Sequence, residues 1–209
     1  MTLDAWERFH SWMNDEKIDE ETKNELQSIR ANDEEVYDRF YKTLEFGTGG
    51  LRGKIGAGAN RLNIYTIRLA SQAFANVLIK KGRSSQGVVI AYDSRNWSRE
   101  FAHEAAKVMI GNGIPVHIFD DIAPTPMLSF AVRHIGAGAG IMITASHNSP
   151  EYNGFKAFDE KGVQLLDDLA LAVSDQMKTL SLSDVRVESQ PDVHPLWHVL
   201  GEETYQAYF

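Results

Sequence analysis

The residues best suited to chemistry lie in one polar loop, TASHNSPEYNGFK (144–156), which directly follows an apolar run. Within this loop Ser146 is a candidate nucleophile, His147 is its neighbour and Lys156 brings a positive charge. Adjacent side chains at a strand end point to opposite sides, so we expect that His147 does not deprotonate Ser146 directly, and the G-x-S-x-G elbow of hydrolases is absent. A serine among amides and cations fits phosphoryl transfer, for which the protein supplies position and positive charge. The residue types alone leave a second interpretation open, a polar turn whose side chains only cap the backbone.

A glycine-rich segment, EFGTGGLRGKIGAGAN (45–60), is the second candidate for ligand contact, with six glycines in 16 residues. It opens a stretch, 47–92, that contains no acidic residue and seven basic ones. The basic residues are Arg52, Lys54, Arg61, Arg68, Lys80, Lys81 and Arg83. An acid-free stretch that starts in a glycine-rich loop suits an anionic ligand. For the last four of these residues, a solvated helix surface is the alternative, whereas Arg52 lies inside the glycine-rich segment.

The elements that would position these loops alternate between strand and helix from residue 60 onward. The predicted strands are 87–94, 114–120, 139–146 and 154–159. The predicted helices are 3–13, 20–30, 32–42, 63–81, 98–112, 125–136, 167–180 and 200–208, and the candidate linker is 181–195. This order predicts an α/β fold, a three-layer α/β/α sandwich with a mixed, mostly parallel sheet, preceded by a helical N-terminal extension. Ligands of such sheets collect at the carboxyl ends of the strands.

The composition excludes several other classes of protein. The 209 residues include no cysteine, which rules out disulfides, thiolate zinc sites and cysteine nucleophiles. A net charge of −8 argues against a nucleic-acid partner. No apolar run approaches the ~18 residues that span a membrane, and the first residues lack the basic and apolar regions of a secretory signal. We therefore expect a cytoplasmic protein with neither a nucleic-acid nor a membrane partner.

Three motifs together resemble those of the α-D-phosphohexomutases. The loop TASHNSPEYNGFK is similar to the phosphoserine loop of that family, FGTGGLRG (46–53) to its N-terminal signature, and AYDSR (91–95) to its D-x-R element. All three occur in the family's order over about 43–160. The acidic helical start and TGGLRGKIGAGANRLNIYT resemble the phosphoglucomutase-2-like branch. The sequence departs from the family pattern where Ser149 stands in the place of a proline, which here follows as Pro150.

The resemblance implies an isomerase of carbohydrate metabolism, a phosphoglucomutase that interconverts glucose 1-phosphate and glucose 6-phosphate. The reaction would pass through a phosphoserine and a bisphosphate, with Mg²⁺ as metal cofactor and glucose 1,6-bisphosphate as activator. Phosphopentomutase, phosphomannomutase and glucose-1,6-bisphosphate synthase use the same fold and remain alternatives. A non-catalytic module that binds sugar phosphates is an alternative of a different class.

The resemblance also implies roles for single residues. Ser146 would carry the phosphoryl group and bind Mg²⁺ through its phosphate. The other catalytic residues would be Lys156, His147 and Arg52. Contacts with substrate or phosphate would come from Thr48, Gly49, Gly50, Asn148, Asn153 and Arg95. Asp93 and Arg95 would brace the site from behind, and a purely structural ion pair is the alternative.

The family is built of four domains, which implies a domain organisation for this chain. Residues 1–42 would be the helical extension and 43–209 would be domain I, which carries the phosphoserine. The metal loop, the sugar-selecting loop and the terminal phosphate-binding domain of the family belong to domains II–IV, which we expect to be absent from this chain. We therefore expect the isolated domain to be inactive.

Overall fold

The computed structural model describes residues 3–47 and 49–209, and in them six strands form one sheet. The strands are β1 (Leu51–Lys54), β2 (Val88–Tyr92), β3 (Val116–Phe119), β4 (Ala139–Ile143), β5 (Tyr152–Phe158) and β6 (Trp197–Leu200). The helices are α1 (Leu3–Asn14), α2 (Glu20–Ile29), α3 (Asp33–Phe40), α4 (Ile64–Lys80), α5 (Ser98–Gly111), α6 (Thr125–His134), α7 (Asp167–Thr179) and α8 (Glu202–Tyr208). None of the described helices is long and apolar enough to span a bilayer.

The strand order β1-β5-β4-β2-β3-β6 makes the sheet mixed and mostly parallel, as predicted. Strands β4, β2, β3 and β6 run parallel, whereas β5 runs antiparallel to both β4 and β1. The carboxyl ends of β2, β3 and β4 therefore meet at one edge. The antiparallel β5 begins at that same edge, so the loop between β4 and β5 folds back over the place where ligands collect.

Helices cover both faces of the sheet and give the predicted three-layer sandwich. The central strand β2 is buried along its whole length, and its side chains alternate between two cores. Val88 and Ile90 pack in the core under α4, α5 and α7, while Val89 and Ala91 pack in the core under α6 and α8. Burial on both faces explains why this strand appears in the sequence as a continuous apolar run.

The three N-terminal helices form a small core of their own that includes the end of the glycine-rich segment. Phe9, Leu26 and Phe40 pack there with Ala57 and Ala59. The backbone is tied as well, because Leu44 N donates to Ala59 O at 2.8 Å. The helical extension thus fixes the chain that follows β1.

Three features differ from the sequence-based expectation. Strands β1 and β6 were not predicted, because glycines interrupt the pattern of the first and the second lies at the sheet edge with exposed His198 and Val199. The segment 181–195 is not a free linker. It packs on α4 and α5, where Arg186 N donates to Gln72 Oε1 at 3.0 Å and Glu188 N donates to Lys107 O at 3.0 Å.

Candidate active site

Ser146 lies beyond the end of β4, in a turn with left-handed backbone. Its φ is 57°, which is uncommon for a residue other than glycine and costs free energy that the surrounding contacts must offset. Its N–H donates to Thr144 Oγ1 at 2.9 Å, and its side chain is exposed, as is that of His147. We expected Ser146 and His147 at the end of a strand, with side chains on opposite sides. That expectation was wrong, because β4 ends at Ile143 and both residues lie in the loop.

Lys156 is the group in direct contact with the candidate nucleophile. Its Nζ donates to Ser146 Oγ at 2.7 Å. Lys156 lies in β5 opposite Met142 of β4, so the antiparallel pairing returns it to the edge that the loop has just left. Burial lowers the pKa of the half-buried Lys156 ammonium, and the positive charge of Arg52 lowers it further, while Asp93 opposes both effects. The ammonium therefore releases a proton more readily than an ordinary lysine does.

Arg52 reaches the same loop from β1. It lies opposite Gly154 in β5, it is exposed, and its Nη1 donates to Asn148 Oδ1 at 3.0 Å. Two cations and an amide, on Lys156, Arg52 and Asn148, thus lie together around the turn that carries Ser146. This arrangement can attract and hold an anionic group.

The glycine-rich signature allows β1 to come this close to β5. Gly50 has a φ of 89°, and a Cβ on it would lie 2.3 Å from Phe155 O. Gly47 and Gly50 exchange backbone hydrogen bonds of 3.0 and 2.9 Å, which closes a tight turn with Gly49 exposed at its tip. Thr48, the remaining predicted residue of this turn, lies outside the described residues.

Arg95 hydrogen-bonds to the backbone of the Ser146 loop. Its Nη2 donates to Ser146 O and Asn148 O, both at 2.7 Å, and its Nη1 donates to Ser149 O at 3.0 Å and Tyr152 O at 3.2 Å. Both terminal nitrogens of the guanidinium therefore already bind loop carbonyls. These contacts favour the bracing role that the resemblance implied for Arg95 over the direct contact with phosphate that it also implied.

Asn153 also lies behind the site. It is fully buried, its Nδ2 donates to Asn96 O at 3.0 Å and Ser98 Oγ at 2.9 Å, and its Oδ1 accepts from Gly154 N at 2.8 Å. This position again favours support over the predicted contact with phosphate. The sequence reasoning gave no role in the site to Thr144 or Ser98. Thr144 lies in the same loop motif as Ser146, whereas Ser98 begins a predicted helix and resembles an ordinary helix-capping residue.

The described residues do not by themselves fit a magnesium ion. They contain no cluster of three or more His, Cys, Asp or Glu side chains that could hold a metal. The nearby carboxylate of Asp93 accepts from Ser98 Oγ at 2.7 Å and pairs with Arg95 Nε at 3.5 Å. Mg²⁺ requires about six oxygen ligands in octahedral geometry. A phosphate on Ser146 would add one oxygen ligand to this set.

Comparison with known proteins defines the class. Residues 43–184 match the family model of phosphoglucomutase/phosphomannomutase, alpha/beta/alpha domain I, and the chain belongs to this family. Ser146, Lys156, His147 and Arg52 all lie within the matched range.

Individual relatives carry the names of several mutases. A phosphoglucomutase from Staphylococcus haemolyticus is 45% identical over 141 residues, which cover 68% of this chain and 26% of that protein. A phosphopentomutase from Homo sapiens is 37% identical over 178 residues, covering 78% of this chain and 29% of that protein. Among solved structures, a Thermus thermophilus protein described as a phosphomannomutase aligns with a TM-score of 0.64 and 30% identity, over 77% of this chain and 33% of its own. The chain thus spans between about a quarter and a third of the length of the relatives it matches.

Proposed function

We propose that this chain is the nucleophile-bearing domain of a phosphoglucomutase, an isomerase that interconverts glucose 1-phosphate and glucose 6-phosphate, with Ser146 as the phosphoryl carrier. The observation that carries the proposal is the 2.7 Å contact between Lys156 Nζ and Ser146 Oγ in an exposed loop that Arg52 also reaches. A hydroxyl without a neighbouring cation would leave the charge of a transferred phosphoryl group unbalanced.

Each residue has a definite task in the proposed reaction. The P–O bond to Ser146 Oγ breaks while a new P–O bond forms to a sugar hydroxyl, whose proton passes to the surrounding water. Lys156 Nζ is placed to deliver a proton to the departing Ser146 Oγ. When the resulting bisphosphate presents its other phosphate, Ser146 Oγ attacks it and Lys156 takes back the proton of that hydroxyl. The P–O bond to the sugar oxygen breaks, and this oxygen gains a proton from the surrounding water. Arg52 stays positive throughout and stabilises the phosphoryl oxygens, and Lys156 adds its charge while it is protonated.

The sugar would be held mainly by parts of the protein beyond this chain, in line with the greater length of its relatives. We propose that further domains supply the sugar contacts and the Mg²⁺ ligands, that glucose 1,6-bisphosphate activates the enzyme, and that the chain alone is inactive. Positioning of both reactants is required for phosphoryl transfer, and the described residues surround only the serine.

Phosphopentomutase is the second candidate, because a relative of that name matches 78% of this chain at 37% identity. Coupled assays of the full-length protein with glucose 1-phosphate, ribose 1-phosphate and mannose 1-phosphate separate the candidates. We expect the highest kcat/KM with glucose 1-phosphate and none above background in the Ser146→Ala variant. Preference for ribose 1-phosphate would replace the proposal with phosphopentomutase. Turnover no higher than that of Ser146→Ala with every sugar would indicate a binding module.

A further inference from the structure

A buried hydroxyl connects the loop after β2 to the strand that follows the Ser146 loop. Ser98, the first residue of α5, is 1% exposed, donates from its Oγ to Asp93 Oδ1 at 2.7 Å and accepts from Asn153 Nδ2 at 2.9 Å. A buried polar group must be hydrogen-bonded, so the Ser98 hydroxyl holds the side chains of Asp93 and Asn153 in fixed positions. Ser98 therefore couples β5 to the loop that carries Arg95.

The connection continues to the nucleophile. The carboxylate of Asp93 accepts from Arg95 N at 3.0 Å and lies 3.5 Å from Arg95 Nε, which orients the guanidinium. That guanidinium in turn holds the carbonyl of Ser146 at 2.7 Å. An unbroken series of polar contacts thus runs from Asn153 in β5, through Ser98 and its neighbours, to the backbone of Ser146.

Backbone strain occurs at the Ser146 end of this series and next to Ser98 in its middle. Among the described residues, Trp97 (φ 64°) and Ser146 (φ 57°) are the residues other than glycine with a positive φ. Strained positions of this kind persist where surrounding contacts hold them, and they cluster at functional sites.

The start of α5 is also unusual. Trp97 occupies the N-cap position without a side-chain hydrogen bond, although a serine there would cap the helix. The serine is instead one residue later, and its hydroxyl is turned to Asp93. The start of α5 thus lacks a side-chain cap and contains a strained tryptophan. In this geometry the Ser98 hydroxyl contacts Asp93.

We infer that Ser98 is a positioning residue for phosphoryl transfer, which fixes Ser146 in its left-handed conformation through Asp93 and Arg95. This inference rests on the proposed function of Ser146. With the turn fixed, Ser146 Oγ stays within hydrogen-bonding distance of Lys156 Nζ, and small displacements of a nucleophile reduce the rate strongly. Ser98 itself touches neither the nucleophile nor the substrate.

The chain offers a matched control for removing this hydroxyl. Ser71 in α4 is also fully buried, and its Oγ has no hydrogen-bond partner among the described residues. Ser98→Ala and Ser71→Ala therefore remove the same atom from two buried sites, and only the first breaks the series of contacts. In the full-length protein, the rate of Ser146 phosphorylation by glucose 1,6-bisphosphate is followed by rapid mixing and intact mass.

We expect Ser98→Ala to lower the saturating rate constant by about tenfold or more, with the half-saturating bisphosphate concentration unchanged within about twofold. Ser71→Ala should leave both values near those of the wild type. If Ser98 served only the stability of α5, the saturating rate constant would not fall while the half-saturating concentration stayed constant. Equal rates for the two variants would overturn the inference.

A second readout keeps the inference testable apart from activity. Hydrogen exchange of the amides in 144–156, measured on this chain, should be at least about threefold faster in Ser98→Ala than in Ser71→Ala, because the loop opens more readily. Equal exchange would overturn the positioning role even in an active enzyme. A wild-type protein that is not phosphorylated on Ser146 would instead refute the proposed function.

Discussion

Replacing Lys156 by methionine separates the charge of this side chain from its bulk. Methionine keeps a long unbranched chain but removes the ammonium that donates to Ser146 Oγ at 2.7 Å. Loss of one preorganised donor in an active site lowers turnover about 10²–10³-fold. A charge-assisted hydrogen bond contributes about 1.5–3 kcal/mol, which corresponds to roughly 10–150-fold at 1.36 kcal/mol per decade. We therefore expect Lys156→Met to lower kcat of the full-length enzyme about a hundredfold or more, with little change in binding of the sugar phosphate.

The same substitution should not lower stability, although it lowers turnover. Burial, and then Arg52, lowers the pKa of Lys156 in the folded chain, so the protonated form is less favourable there than in the unfolded chain. Between the lowered pKa and the ordinary lysine value the unfolded chain binds more protons, and stability rises with pH. Below the lowered pKa the charged ammonium costs stability in full. Lys156→Met should therefore melt at the same or a higher temperature at pH 7 and lose this rise towards alkaline pH.

Lys54 provides the control for both measurements. It is exposed, it lies two positions after Arg52 in β1, and it pairs with Glu151 at 3.8 Å on the surface. In a coupled assay with glucose 1-phosphate, Lys54→Met should retain wild-type turnover, since exposed ion pairs contribute only about 0–1 kcal/mol. Turnover of Lys156→Met within about threefold of Lys54→Met would refute the role of Lys156. Melting curves between pH 7 and 10 test the predicted stability.

Three further predictions concern Arg52, the glycine turn before β1 and the binding of Mg²⁺. Arg52→Ala should lower turnover of the full-length enzyme about a hundredfold, and near-normal turnover in the coupled assay would exclude it from phosphoryl stabilisation. Gly50→Ala should lower the free energy of unfolding by at least about 1–2 kcal/mol because its φ is 89° and its Cβ would lie 2.3 Å from Phe155 O. Gly49→Ala, which meets no atom within 4 Å, should change stability little in the same denaturant titration. Calorimetry of this chain with Mg²⁺ should detect no tight binding, and micromolar affinity would reveal ligands beyond those described.

Much of the fold could be predicted from the sequence because the buried strands and helices have strong apolar patterns. Strand β2 and the helix capped by Asn63 are examples, the latter with a capping box to Thr66. Strand β1 could not be predicted, because its pairing depends on the close approach that Gly50 allows rather than on apolar alternation. Strand β6 depends on its neighbour β3 for its hydrogen bonds, and its own side chains are partly exposed.

Candidate residues for the site could be named from the sequence, but the contacts between them could not. The contact between Lys156 and Ser146 arises from the antiparallel register of β5 against β4, and spacing along the chain does not fix that register. The bracing position of Asn153 and the particular carbonyls that Arg95 binds depend on which backbone groups lie nearby, and residue types do not reveal them. Ser98 received no role in the site because a serine at the start of a predicted helix commonly caps that helix.

Phosphopeptide mapping of the full-length protein, after treatment with glucose 1,6-bisphosphate, tests the central claim most directly. We predict a single phosphate on Ser146 and none in the Ser146→Ala variant, because Ser146 Oγ is the hydroxyl within 2.7 Å of Lys156 Nζ. Ser149, whose side chain is exposed in the same loop, is the internal control. A phosphate on Ser149, or no phosphate on the loop, would contradict the assignment of Ser146 as the nucleophile.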